Sequence, residues 1–225
     1  MRRLLLLAFL LPGHAFADGI LRTDYADLEP RLTARVDFED HPRFMTPGQR
    51  HDEVIEADGA RFGERLLGQR VQQSNGFDRL RGQPISPVAI AAGAPGENLS
   101  VTHYLLISNH LVGNAAPGYP DFKAGGEGSV AILFEREQSA LGFRVAAEPQ
   151  PKDSSVDQGW MTVTFYARDG HILDRIEVVL DWGRNGYGFE TADNRPVIAA
   201  ITIENQDPAG IAIDDVIFDT LDVTG

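Results

Sequence analysis

After about residue 33 the chain never settles into a long apolar period. Short apolar or alternating runs are cut repeatedly by Gly, Pro, Asn or Asp. That punctuation marks many short strands joined by turns and leaves little room for helices. It predicts strands over residues 34–39, 54–56, 60–63, 85–91, 99–108, 129–135, 140–146, 161–168, 171–181, 187–190, 197–204 and 210–219. About ten antiparallel strands with few helices imply an all-β fold, a two-sheet antiparallel β-sandwich of jelly-roll type. A closed barrel is the alternative, and irregular spacing with several long loops favours the sandwich. The plainest element spans residues 161–181. Val163 and Phe165 alternate with Thr162, Thr164 and Tyr166, and Asp169-Gly170 reads as a two-residue hairpin turn with positive φ at both positions. Residues 64–73 read as either a short helix or an irregular strand, and residues 109–128 and 147–159 as long Gly-rich loops.

The first residues carry an address. Arg2 and Arg3 precede an apolar run from Leu4 to Leu11, Pro12-Gly13 breaks it, and Ala15-Phe16-Ala17 supplies small-x-small cleavage chemistry. Residues 1–17 are therefore expected to be a signal peptide cut before Asp18, with export to the periplasm or the extracellular medium. Residues 18–33 then form a lead-in arm, and residues 34–225 form the β-jelly-roll domain. With no cysteine in 225 residues, no disulfide is possible. No second long apolar run offers a membrane span. The net charge of −13 becomes more negative once Arg2 and Arg3 are removed. Such a charge argues against nucleic acid and anionic membranes as partners, and it suits cations.

Acidic strands stand at both ends of the domain. In Val36-Asp37-Phe38-Glu39-Asp40, the apolar and acidic residues occupy opposite phases. In Ile211-Ala212-Ile213-Asp214-Asp215-Val216-Ile217-Phe218-Asp219, strict alternation buries Asp215 with Ile211 and Ile213. A bulge at Asp214-Asp215 instead resets the phase, turning Val216 and Phe218 inward and both aspartates outward. Phe38-Glu39 with Ile213-Asp214-Asp215-Val216 resembles the first and last strands of carbohydrate-binding-module-like β-jelly rolls. Residues 128–134, 139–143, 198–201 and 208–214 are similar to exported bacterial proteins of the PEP-CTERM-associated kind, although the Pro-Glu-Pro sorting tail is absent. The first resemblance implies a structural Ca2+ joining the two ends. Glu39 and Asp214 would be its principal ligands, and Asp215, Asp37 and carbonyl oxygens would complete the shell.

The most ligand-like loop is Asp181-Trp182-Gly183-Arg184-Asn185-Gly186-Tyr187. Trp182 and Tyr187 offer faces for sugar C–H groups, and Arg184 and Asn185 offer planar polar partners for hydroxyls. The same residues also read as a plain hairpin with its turn at Asn185-Gly186 and Trp182 capping the core. Tyr119, in residues 118–123, either lines a groove with this loop or packs within its own. Residues 153–159 read as a flexible loop without the alternate ligands of a calcium-binding loop. His41, His51, His103, His110 and His171 lack metal-ligand spacing, and His103 shares the apolar phase of Leu99 and Val101. No nucleophile elbow, cysteine nucleophile or convincing pair of catalytic carboxylates is present. The expectation is a secreted, non-catalytic binding module for a carbohydrate or other cell-envelope ligand. A structural or adhesive module is the alternative, and a glycan-active enzyme stands third.

Overall fold

The computed structural model describes residues 19–104, 107–147 and 159–220. The expected signal peptide and most of the 153–159 loop lie outside the described residues. In chain order the elements begin with β1 (Ile20–Thr23), α1 (Tyr25–Leu28), β2 (Ala34–Val36), β3 (Gln49–His51), β4 (Ile55–Ala57) and β5 (Ala60–Gly63). They continue with β6 (Arg65–Leu66), β7 (Arg70–Ser74), β8 (Phe77–Arg81), β9 (Ile90–Ala91), β10 (Leu99–Tyr104) and β11 (Ser108–Gly113). The last are β12 (Val130–Gln138), β13 (Ala140–Ala147), β14 (Trp160–Tyr166), β15 (Ile172–Val179), β16 (Gly183–Thr191), β17 (Ile198–Asn205) and β18 (Ile211–Phe218).

These strands make an antiparallel sandwich. The eight-stranded sheet runs β1-β16-β13-β18-β11-β10-β3, with β2 added to β18. The six-stranded sheet runs β15-β14-β17-β12-β5-β4. Period-two alternation turns Leu111, Phe143, Phe189, Ile213 and Phe218 of the first sheet inward, onto Phe62, Ile132, Phe134, Phe165 and Ile201 of the second. Ring pairs tie the layers together: Phe134 lies 5.2 Å from Phe218, and Phe165 lies 5.1 Å from Phe189. Each such pair adds about 1 kcal/mol beyond the area it buries.

β18 shows how the two ends of the chain meet. One edge pairs with β13 along its length; the other takes β11 at Ile213 and β2 at Val216–Phe218. The changeover is a bulge. Register slips between Gly142 and Arg144, and Asp215 sits at φ 45°. Ile211 and Ile213 point inward before the bulge and Val216 and Phe218 after it, as the phase-reset reading expects. Asp tolerates this left-handed conformation better than most residues.

Residues 19–33 are integrated into the fold. β1 extends the large sheet along β16, and α1 packs on that sheet's outer face. The outward positions beneath α1 are Gly142, Gly186 and Gly188, so Tyr25 and Leu28 approach the backbone directly. A Cβ on Gly186 would lie 2.5 Å from the Cβ of Tyr25. That close approach explains why Asn185-Gly186, expected as a possible turn, lies inside β16 instead. The hairpin turn made by an Asn-Gly pair is Asn75-Gly76, between β7 and β8, with φ of 55° and 88°. Residues 64–73 are accordingly strand-like, holding β6 and most of β7.

The 161–181 hairpin forms with a different turn. The Ala167 N–H donates to the His171 carbonyl at 3.0 Å, enclosing three residues, and Gly170 alone takes positive φ. The Asp169 carboxylate accepts the His171 N–H at 3.1 Å and stabilises the tighter first turn. The expected 109–128 loop begins instead with β11. Asn109 and His110 are both buried there, and their polarity hid the alternation that continues through Leu111 and Val112.

Candidate functional site

The outer face of the eight-stranded sheet is covered by α1 over β13 and β16, and beyond α1 it lies at the bottom of a cleft. There, outward residues of neighbouring strands form a floor: Thr102 of β10, His110 and Val112 of β11, Ala212 of β18 and Ala146 of β13. The loop after β11 rises as one wall with Asp121 and Phe122, and Thr46-Pro47, Ile107 and Gly183-Arg184 complete the rim. The enclosed cleft has a volume of about 480 Å³. Its mouth carries two large apolar side chains in solvent, Phe122 at 68% and Ile107 at 66% exposure. Exposed apolar groups around a concavity are what a ligand-binding groove presents.

The polar end of the cleft is a fixed charge network. The Arg184 guanidinium donates to Asp214 Oδ2 at 2.6 Å and to Asp215 Oδ2 at 2.7 Å. Asp215 is also ion-paired with Arg144 at 3.1 Å and Arg35 at 3.6 Å. Arg144 stacks over the Tyr25 ring at 4.6 Å, and the Tyr25 hydroxyl donates to the Asp215 carbonyl at 3.0 Å. Ser108 Oγ donates to Asp214 Oδ2 at 3.1 Å and lies 3.2 Å from His110 Nε2. With its single hydroxyl proton spent on Asp214, Ser108 receives the His110 N–H, which places the proton of a neutral ring on Nε2. Burial, then the charge of Arg184, hold the His110 pKa down to about 4, so the ring is neutral at pH 7. Burial, reinforced by neighbouring Asp215, raises the Asp214 carboxyl to about 6 in spite of Arg184.

The carboxylates expected to hold calcium are neighbours along the chain ends, and each faces another partner. Asp214 and Asp215 meet the arginines. Glu39 Oε1 accepts the Asn109 N–H at 2.7 Å, and its other oxygen pairs with Arg43 at 3.4 Å. Asp37 closes a turn onto the Glu39 N–H at 3.1 Å, beside Phe38 at φ 58°. Among the described residues, no three acidic or histidine side chains converge as a metal site. Guanidinium groups supply the positive charge that the calcium reading assigned to a cation. This donor set therefore does not fit Ca2+.

Of the expected ligand residues, the structure brings Arg184 to the cleft. Trp182 is exposed (53%) beside Gly183 of the rim, outside the lining. The Asn185 amide donates to the carbonyls of Asp181 and Trp182, both at 3.0 Å, and so shapes the loop. Tyr187 turns into the core, where its hydroxyl accepts the Asp181 N–H at 3.3 Å. The Tyr119 hydroxyl donates to the Gly48 carbonyl at 3.2 Å and fastens the wall loop from behind. Phe122 and Asp121, the wall residues, lie in the loop that the sequence marked through Tyr119. His110 and Ile107 carried no signal, because their role depends on which strands lie beside them.

No protein-family model matches the chain, and no curated protein matches it. Among solved structures the chain is similar to a family 29 carbohydrate binding module from Piromyces equi. That similarity has 12% identity over 71% of this chain and 89% of the module, with a TM-score of 0.33. It is also similar to the enzymatically active domain of tailspike protein 4 of bacteriophage CBA120, at 18% identity over 54% of this chain, with a TM-score of 0.30. The chain spans 18% of that tailspike chain. Likeness at these TM-scores carries no argument, so the sandwich rests on its own sheet pairing and the site on its own geometry.

Proposed function

We propose that this protein is an exported, non-catalytic binding module that takes a carbohydrate in the cleft on the outer face of the eight-stranded sheet. The observation that carries the reading is the pairing of exposed Phe122 with a fixed polar end at Arg184, across a cleft of about 480 Å³. A sugar ring offers an apolar C–H face and a rim of hydroxyls. An aromatic wall takes the first, and charged or amide groups held rigidly by their own hydrogen bonds take the second. The leader-like residues 1–17 support export to the periplasm or the medium.

The test is a glycan array on the protein lacking residues 1–17, followed by titration of the best ligand against Phe122→Ala. Phe122 is exposed, so the variant is expected to melt as the parent does. Its affinity is expected to fall about tenfold, the loss of roughly 1.4 kcal/mol of stacking. Unchanged affinity in a folded Phe122→Ala protein would remove the cleft from consideration.

A further inference from the structure

The opposite face of the molecule carries a second cavity of different chemistry. The β7–β8 hairpin lies against the outer face of the six-stranded sheet. The Leu80 N–H donates to Glu204 Oε1 of β17 at 2.9 Å, and the Arg79 guanidinium donates to the Asn205 carbonyl at 2.9 Å. Arg79 also lies over the Phe77 ring at 5.5 Å, which holds its plane. Between the hairpin and β15 is a cavity of about 370 Å³, lined by Arg79, Arg81, Arg175, Glu177, Glu204 and two neutral polar residues, Thr162 and Gln206.

Most arginines of this acidic chain sit against carboxylates, among them Arg35, Arg61, Arg144, Arg168 and Arg184. The three in this cavity bond only to neutral acceptors among the described residues. Arg79 donates to the carbonyls of Asp78 and Asn205, Arg81 to the Leu80 carbonyl, and Arg175 to Thr164 Oγ1. A guanidinium has five donor hydrogens in a fork that matches a carboxylate, so most of this donor capacity remains available. Three guanidiniums against two carboxylates leave one net positive charge, which suits a monoanion and disfavours a dianion such as sulfate. Glu177, Glu204, Gln206 and Thr162 offer acceptors of the kind that hydroxyl groups need.

We propose that this cavity binds a carboxylate-bearing sugar unit, a uronate, with Arg81 and Arg175 on the carboxylate and the acidic and amide side chains on the ring hydroxyls. The site is separate from the cleft of the other sheet. Calorimetric titration of the protein lacking residues 1–17 with glucuronate, glucose, acetate and inorganic sulfate, at low ionic strength, tests it. Glucuronate is expected to bind more tightly than the other three. Arg81→Ala and Arg175→Ala alter exposed side chains and are each expected to weaken it about tenfold, as is a rise in salt. Arg79→Lys, which retains a charge but loses the fork, is expected to weaken it less. Phe122→Ala is expected to leave glucuronate binding intact, which separates this site from the cleft. Absence of glucuronate binding, equal binding in the Arg81 and Arg175 variants, or loss of binding in Phe122→Ala would each overturn the proposal. Acetate or sulfate binding as tightly as glucuronate would overturn the assignment to a sugar.

Discussion

Asp215 occupies a position at which three demands coincide. It turns the backbone through φ 45°, ends the pairing of β18 with β11, and meets three arginines from β2, β13 and β16. Two adjacent carboxylates repel one another, and their neighbourhood is stable only when cations are held close. Arg184 touches both. Arg184→Ala is therefore expected to lower stability by about 2 kcal/mol, the range for hydrogen bonds to charged groups, as measured by urea denaturation. An unchanged midpoint would show that Arg144 and Arg35 suffice. Because arginine supplies the charge, excess chelator is expected to leave the calorimetric melting transition where it is. A lower transition on chelation would restore the calcium staple at Glu39 and Asp214. At this scale the acid pair was legible, since Ile211 and Ile213 cannot share a face with Val216 and Phe218 without a bulge. The arginines were not legible, because no local pattern links Arg35 or Arg184 to residue 215.

At the scale of elements, α1 and the glycines beneath it act as one unit. α1 has only four residues and, without tertiary contacts, would not persist. Tyr25 and Leu28 are buried because Gly142, Gly186 and Gly188 leave room at the sheet surface. Gly186→Ala is expected to destabilise the protein by about 2 kcal/mol, the cost of overpacking a filled site. Protection of the β1–α1 segment in hydrogen exchange should fall at the same time. Retained protection and stability would show that Tyr25 has other room. The two Asn-Gly pairs show how far local chemistry reaches. Asn75-Gly76 has only open solvent around its glycine and makes the turn its residues favour. Asn185-Gly186 has the same letters, yet the docking of Tyr25 requires its glycine within a strand.

The whole molecule has a pH dependence that follows from its buried acids. Burial raises Glu64 to about 7, Asp78 to about 6, Glu127 to about 8 and Asp214 to about 6. Between the ordinary carboxylate range and about pH 8, these four carboxyls hold more protons in the native state than in the unfolded chain, and their contribution to stability falls as pH rises. His110, held down to about 4, and His51, also lowered by burial, act in the opposite sense as pH rises toward their ordinary 6.5. The histidine contribution fades over about one pH unit above 6.5 and is smaller than that of Glu64 and Glu127, which titrate higher. The melting temperature at pH 6.5 is therefore expected to exceed that at pH 8.5 by calorimetry, and a flat or reversed trend would contradict the burial of Glu64 and Glu127.

The layer architecture and the 161–181 hairpin were readable from residue order alone, because strand alternation and turn chemistry act over a few neighbouring residues. The bulge was readable as one of two ways to resolve a conflict of phase. The cleft, the arginine network and the second cavity were settled by which strands lie side by side. His110, Arg184 and Phe122 come together through pairings across large sequence separations, as do Arg79 and Arg175. Non-local packing energy selects those pairings, and a stretch of sequence read by itself does not contain it.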